Sequence, residues 1–138
     1  MADPGSGNPS RALHIGLWVA QVLLALAFGM AGSMKSVTPI EELSKSLPWV
    51  SQDLALLVRF IGVSEFAGAL GLILPAATRI RPKLTPIAAG GLVLVMALAA
   101  VFHLTRGEYG AIGVNATLGA LAAFIAWGRT RRAPIEPR

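Results

Sequence analysis

The chain has 138 residues, of which 54% are hydrophobic and only 14% are charged, and its mean hydropathy is +0.65. Soluble domains carry roughly 25% charged residues, and small ones bury a smaller share of their surface than large ones. These values exclude a soluble globular domain, and they exclude a disordered chain, which needs low hydrophobicity. Because the chain has no cysteine, thiol–disulfide chemistry and cysteine-ligated metal or iron–sulfur centres are also excluded. The composition therefore predicts an integral membrane protein.

Four segments are long and apolar enough to cross a membrane, which takes about 20 mainly apolar residues. They are residues 12–34, 54–75, 84–105 and 109–128. Three of them contain no formal charge, whereas the second contains Arg59 and Glu65. The sequence thus predicts an all-α four-helix bundle that forms a single transmembrane domain, with polar tails at residues 1–10 and 130–138.

The basic residues near the ends of the spans predict the orientation, because cytoplasmic loops carry an excess of Lys and Arg. In a four-helix bundle both termini and the middle loop share one side of the membrane. That side holds eight basic residues, Arg11, Arg79, Arg81, Lys83, Arg129, Arg131, Arg132 and Arg138. The opposite side holds three, Lys35, Lys45 and Arg106. Both termini are therefore expected in the cytoplasm. The net charge of +5 is explained by the attraction of a basic face to an anionic lipid leaflet. No nucleic-acid partner is therefore expected.

The one long connection, residues 36–53, lies on the predicted outer face. Thr38, Pro39 and Glu41 fit a capping box, with threonine at the cap, proline at the first helical position and glutamate three residues after the cap. This pattern predicts a short helix of about eight residues that ends before Pro48. We expect the helix to lie on the membrane surface over the outer mouth of the bundle, and a plain surface loop is the alternative.

Most polar residues of the spans fall in the outer half of the membrane once each helix is given its direction. They are Lys35, Arg59, Glu65, His103, Arg106, Glu108 and Asn115. The inner half holds only Gln21 and His14 among otherwise apolar residues. This one-sided clustering predicts a polar pocket that opens outward between the helices. Its expected lining residues are Lys35, Arg59, Glu65, His103 and Asn115.

Arg59 and Glu65 are costly inside a membrane, at about 2.5–3.5 kcal/mol each near the centre of a span. They are separated by about 9 Å along a helix axis and by about 120° around it, so each needs a partner on another helix. Lys35 or His103 is the expected partner of Glu65, and Glu108 or a lipid phosphate is the expected partner of Arg59. The charges form either an interhelical network that fixes packing or a functional site.

His103 is placed for three different roles. The three alternatives are a general acid or base, a single axial ligand of a haem, and a packing residue that forms a hydrogen bond. His14 lies at the opposite end of the membrane, so the two histidines of the chain are not expected to share a metal ion.

The order of these features resembles the DoxX-like family of small four-helix bacterial membrane proteins. The resemblance covers residues 12–130 and rests on three motifs, Ala31-Gly32-Ser33-Met34-Lys35, Ile61-Gly62-Val63-Ser64-Glu65-Phe66-Ala67-Gly68 and His103-Leu104-Thr105-Arg106-Gly107-Glu108. It implies a four-helix bundle in the bacterial inner membrane, related to subunits named for thiosulfate:quinone oxidoreductase. Lys35, Glu65 and His103 match the polar features of that pattern, without an assigned catalytic role.

Three functions follow from these observations. The favoured hypothesis is a redox-associated membrane subunit that anchors a partner protein or presents a quinone-like molecule to it. Lys35, Asn115 and His103 are the expected contacts to such a quinone or to a haem. The alternative is a membrane isomerase or hydrolase acting on a small lipophilic substrate, with Glu65 as acid or base and His103 or Arg59 polarising the substrate.

The third hypothesis is a proton-coupled small exporter that uses Glu65, and the strong charge asymmetry disfavours it. The expected partners are membrane lipid, a lipophilic small molecule, a redox partner protein and a second copy of the chain. Glycine-rich helix faces serve packing within a protomer and between protomers equally well.

Overall fold

The computed structural model describes residues 10–138, which form five α-helices and no strand. The helices are α1 (Arg11–Val37), α2 (Ile40–Ser46), α3 (Ala55–Thr78), α4 (Leu84–Thr105) and α5 (Tyr109–Trp127). All except α2 are long and apolar enough to cross a membrane. The prediction of an all-α membrane bundle is confirmed. Residues 1–9 of the predicted N-terminal tail lie outside the described part of the chain.

The long helices extend beyond several of the predicted span ends. α1 continues past Lys35 to Val37. A short 3₁₀ turn, Gln52–Leu54, leads into α3, which continues through Pro75 to Thr78. A π-helical turn, Gly128–Arg132, follows α5. The predicted limits differ because they are set at charged residues and, for the second span, at Pro75, whereas a helix ends where its backbone hydrogen bonds end.

The short helix between the first two spans is present as α2, but its predicted cap is wrong. α2 has Pro39 at its N-cap and no side-chain hydrogen bond there. Thr38 is the C-cap of α1, and its backbone N–H donates to the Met34 carbonyl. Because α1 runs to Val37, the residue expected to begin α2 already ends the preceding helix.

α2 is held on the start of α3 by a small apolar cluster. Ile40 and Leu43 pack there with Val50 and Val58. The end of the bundle that carries α2 and the α4–α5 turn is called the α2 end below. The opposite end, which carries the start of α1 and residues 128–138, is called the terminal end.

A close crossing of α1 and α3 depends on two glycines. A Cβ atom on Gly32 would lie 2.5 Å from the Phe66 nitrogen and 2.7 Å from the Gly62 oxygen. A Cβ atom on Gly62 would lie 2.7 Å from the Lys35 Cβ. Small residues let membrane helices approach closely in this way. The crossing brings the last turns of α1 beside α3 and places Lys35 within reach of Glu65.

An apolar core fills the centre of the bundle between the four long helices. Its buried residues are Ala20, Leu24, Phe28, Ala69, Leu72, Ala89, Leu92, Met96, Ala122 and Ile125. Phe28 and Met96 also line a cavity, so the core ends where that cavity begins.

A proline near the end of α3 is compensated by a side chain of α4. Pro75 has no backbone N–H, so the Gly71 carbonyl four residues earlier lacks its helical donor. The buried hydroxyl of Thr85 donates to that carbonyl at 3.0 Å. Unsatisfied backbone groups are costly in a membrane, and neighbouring Ser and Thr side chains commonly satisfy them. This hydrogen bond therefore links α3 to the start of α4.

Replacing Thr85 with valine is expected to lower the free energy of unfolding by about 1–3 kcal/mol, because the Gly71 carbonyl loses its donor while the side-chain shape is kept. In a Pro75→Ala background the alanine N–H can bond the same carbonyl, so there the cost of Thr85→Val should fall below about 1 kcal/mol. Reversible unfolding in mixed detergent micelles measures both values. An equal cost in the two backgrounds would contradict the compensation.

Candidate ligand-binding site

A cavity of about 520 Å³ lies between the four long helices toward the α2 end. Its volume is within the range of small-molecule sites, about 300–1,000 Å³. The wall is mostly apolar, and its polar side chains are Lys35, Ser64, Glu65, His103, Glu108 and Asn115. A mainly apolar wall with a few placed polar groups is typical of a ligand site.

Lys35 and Glu65 form an ion pair on this wall. The Lys35 Nζ donates to both Glu65 carboxylate oxygens, at 2.9 and 3.0 Å. The Glu65 side chain is 3% exposed and that of Lys35 16%. Of the two predicted partners of Glu65, the structure pairs it with Lys35. The two charges offset each other, so the pair presents a polar wall without net charge.

Arg59 bonds backbone carbonyls rather than a carboxylate. Its Nη1 donates to the Lys35 oxygen at 2.9 Å and to the Thr38 oxygen at 2.7 Å. Of the two predicted partners, Glu108 is therefore wrong, since its carboxylate is bonded to Arg106 and lies beside His103. The carbonyls at the end of α1 carry the negative end of the helix dipole. The Lys35 carbonyl also lacks its helical donor because Pro39 follows four residues later.

The structure brings four of the five predicted pocket residues to the cavity, which are Lys35, Glu65, His103 and Asn115. Arg59 is not among the lining residues, because its guanidinium is used on the end of α1.

The α4–α5 turn returns Glu108 toward His103. Gly107 adopts a left-handed conformation with φ of +71°. The Glu108 N–H donates to the His103 carbonyl at 3.0 Å, and the Gly107 N–H donates to the Leu104 carbonyl at 3.2 Å. These two bonds form a Schellman motif, in which glycine takes the left-handed position at low cost. The sequence places Glu108 in the outer half but does not predict that it lines the pocket. Gly107 is the residue in the sequence that indicates this reversal of the chain.

A three-residue polar cluster follows from that turn. His103 Nδ1 lies 3.3 Å from Glu108 Oε1, and Arg106 Nε donates to the same oxygen at 2.6 Å. The hydrogen bond from Arg106 lowers the pKa of the Glu108 carboxyl below its ordinary value, and the hydrogen bond from His103 acts in the same direction. Glu108 is therefore ionised near neutral pH.

Aromatic rings pack around His103. The rings of Trp49 and Phe102 are 5.7 Å apart, and those of Phe102 and His103 are 5.6 Å apart, both edge to face. Pro48 and Trp49 line the cavity, so the segment after α2, rather than α2 itself, lies over it. These edge-to-face contacts fix the plane of the imidazole ring.

Asn115 lines the cavity and has a hydrogen-bond donor without a partner. Asn115 is 8% exposed, and its Nδ2 is buried without a hydrogen-bond partner among residues 10–138. The great majority of buried polar groups have a partner, and an unsatisfied donor costs about 1–3 kcal/mol. If the Asn115 side chain turns toward the cavity, a ligand acceptor bound there removes this cost.

The cavity reaches the lipid-facing surface of the bundle. Four apolar lining residues are 42% to 68% exposed, Leu57, Phe60, Leu98 and Val114. Since these side chains face outward on α3, α4 and α5, the rim of the cavity is apolar and continuous with the membrane-facing surface.

A second polar cluster lies at the terminal end. The buried Arg129 donates to the Gln21 Oε1 at 2.7 Å and lies 3.1 Å from His14 Nδ1. Gln21 in turn donates to the Leu72 carbonyl at 2.7 Å. In the sequence Arg129 is a charge that flanks the last span, but the π-helical turn after α5 directs its side chain inward. Gln21 is the residue in the sequence that indicates this inward position, because a polar side chain in an apolar span needs a hydrogen-bond partner.

Within residues 10–138, no three His, Asp or Glu residues are grouped so as to hold a metal ion. Searches of curated proteins and of solved structures find no match. The family model of the DoxX-like family matches residues 19–125. That range is more than three quarters of the chain and includes every polar residue of the cavity wall. The resemblance seen in the sequence motifs is thus confirmed, and the chain belongs to the DoxX-like family.

Proposed function

We propose that this protein binds a small lipophilic molecule of the quinone class in the cavity and presents it to a redox partner protein in the membrane. The observation that carries the proposal is the buried Asn115 Nδ2, which lacks an acceptor on the wall of a cavity with an exposed apolar rim. A quinone carbonyl is an acceptor that Nδ2 can bond. The apolar wall suits the ring, and the exposed rim gives an isoprenoid tail a path to the lipid.

The amino-acid composition supports a function that requires a redox partner protein. The chain has no cysteine, so a thiol relay or a cysteine-ligated centre would have to belong to another protein. The family resemblance to subunits named for thiosulfate:quinone oxidoreductase points in the same direction. The lipid-exposed faces of α4 and α5 offer surface for a partner protein or for a second copy of the chain.

The location proposed is the bacterial inner membrane, with both termini in the cytoplasm. Eight basic residues at the terminal end against three at the α2 end support that orientation. In this orientation the cavity lies in the outer half of the membrane, and lipophilic molecules of the outer leaflet reach its rim directly.

A second candidate function is a membrane isomerase or hydrolase, and the pairing of His103 with Glu108 favours it. Glu65 has both oxygens bonded to Lys35, and Arg59 bonds backbone carbonyls. His103 is therefore the lining group best placed for acid–base chemistry. No observation favours the exporter, because Glu65 would have to leave Lys35 to carry protons.

The test of the proposed function compares Asn115→Leu with Thr117→Val. Thr117 is also on α5, but it is exposed and its hydroxyl donates to the Gly113 carbonyl of its own helix. Binding of decylubiquinone to protein in lipid nanodiscs is followed by quenching of tryptophan fluorescence, since Trp49 lines the cavity. Asn115→Leu is expected to weaken binding about fivefold, the value of one hydrogen bond. Thr117→Val should leave the affinity unchanged.

Two results would overturn this proposal. One is an equal affinity of the wild type and the Asn115→Leu variant, which would mean that the quinone does not use the cavity. The other is a haem Soret band in the absorption spectrum of the purified protein that vanishes in His103→Ala, which would assign the cavity to a haem.

A further inference from the structure

The Glu108 carboxylate determines which nitrogen of His103 carries the proton. Glu108 Oε1 lies 3.3 Å from His103 Nδ1 and accepts a second hydrogen bond from Arg106. An ionised carboxylate is only an acceptor, so Nδ1 must be the donor in this contact. In the neutral imidazole the other nitrogen, Nε2, is then unprotonated and acts as an acceptor.

His103 Nε2 is available to a ligand. His103 lines the cavity, and Nδ1 is its only ring nitrogen with a hydrogen bond to any residue in the range 10–138. Trp49 and Phe102 pack edge-on against the ring, which limits its rotation. The cavity therefore offers two unused groups of opposite kind, an acceptor at His103 and a donor at Asn115.

These two groups distinguish the oxidised and reduced forms of a quinone. The oxygens of a quinone are acceptors only, so a carbonyl placed against His103 Nε2 would bring two acceptors together. A hydroquinone carries hydroxyl groups, each of which donates and accepts. One hydroxyl can donate to His103 while the other accepts from Asn115, and both groups are then satisfied.

We infer that the cavity selects the hydroxyl-bearing, reduced form of its ligand through His103 Nε2, with Glu108 as the positioning residue that keeps this nitrogen an acceptor. The inference rests on the proposed function, since it assumes that a quinone-class head group occupies the cavity. It adds that the reduced form is the one held and that His103 and Glu108 are the cause.

The test uses three ligands with the same ring and tail, namely a hydroquinone, its dimethyl ether and the quinone. In the wild type the hydroquinone is expected to bind about fivefold more tightly than either of the others, the value of one hydrogen bond. In His103→Phe, which keeps an aromatic ring against Trp49 and Phe102, the three affinities should become nearly equal. Thr117→Val should keep the fivefold preference, since its side chain does not line the cavity.

The positioning role of Glu108 has its own measurement. The chain has two histidines, and the ¹⁵N NMR signals of His103 are assigned by their loss in His103→Phe. The neutral ring is expected to carry its proton on Nδ1 in the wild type. In Glu108→Ala the share of this tautomer should fall, and the preference for the hydroquinone should fall with it. An unchanged tautomer would refute the role of Glu108.

The outcomes separate this inference from the proposed function. If all three ligands bind equally to the wild type and all are weakened by Asn115→Leu, selection of the reduced form is refuted and the proposed function stands. If none of the three binds, both fail. If His103→Phe does not fold, the affinities of hydroquinone and dimethyl ether are compared in the wild type and in Glu108→Ala. Equal affinities of the two ligands for the wild type would refute the inference.

Discussion

Replacing Lys35 with methionine is expected to lower the free energy of unfolding by about 3–5 kcal/mol, the cost of removing one partner of a buried ion pair. Methionine keeps most of the apolar stem but removes the ammonium group that bonds both oxygens of Glu65 at 2.9 and 3.0 Å. Glu65 is buried and would be left as an uncompensated charge within a span. Reversible unfolding in mixed micelles of dodecyl sulfate and a mild detergent gives the free energy directly.

A double variant shows whether the loss comes from the orphaned carboxylate. Lys35→Met combined with Glu65→Met should recover most of the lost stability, because exchanging a whole buried ion pair for apolar residues is often close to neutral. Lys45→Met, on the exposed face of α2, is the control and should change the free energy by less than about 0.5 kcal/mol. If the single and the double variant lose the same stability, the two charges are not coupled.

Gly32→Ala is expected to destabilise the bundle by about 1–3 kcal/mol, the usual cost of overpacking. The new Cβ would lie 2.5 Å from the Phe66 nitrogen and 2.7 Å from the Gly62 oxygen. Both are backbone atoms, so no side-chain rotation relieves the contact and α1 must move away from α3. The same movement separates Lys35 from Glu65. Gly32→Ala and Lys35→Met should therefore lose less stability together than the sum of their separate losses.

Gly16→Ala is the matched control for this prediction, since Gly16 also lies on α1. A Cβ there has nothing within 4 Å. Exchange of glycine for alanine in an open helix position gains about 0.5–1 kcal/mol, so this variant should be neutral or slightly more stable under the same unfolding conditions. Similar losses at Gly16 and Gly32 would show that the close crossing of α1 and α3 is not the cause.

The sequence was sufficient for the spans, and it limited the partner of Glu65 to two residues. A helix that crosses the membrane core needs about 20 mainly apolar residues. The number of such segments in the sequence therefore predicts four spanning helices. A buried carboxylate needs a partner on another helix, which left Lys35 or His103 for Glu65, and the structure selects Lys35. The position of Arg59 did not follow, because a list of charged side chains omits the backbone carbonyls that lack donors. Pro39, four residues after Lys35, marks one of them.

Two further features depend on local backbone geometry that hydrophobic patterns do not contain. The contact between His103 and Glu108 requires the left-handed conformation of Gly107, which returns the chain over the end of α4. The burial of Arg129 requires the π-helical turn after α5. In both cases the sequence shows a charge next to a span, and only the direction of the turn distinguishes an inward side chain from a flanking one.

The hydrogen bond between Arg129 and Gln21 has a consequence for the biogenesis of the protein. The two residues are 108 positions apart, and chains are made from the N-terminus. As α1 enters the bilayer, the Gln21 amide group has neither of its native partners. Leu72 reaches it after α3 is inserted, and Arg129 reaches it only after α5. The hydrogen bonds of Gln21 are therefore complete only after α5 is inserted, and until then its amide oxygen lacks its native partner.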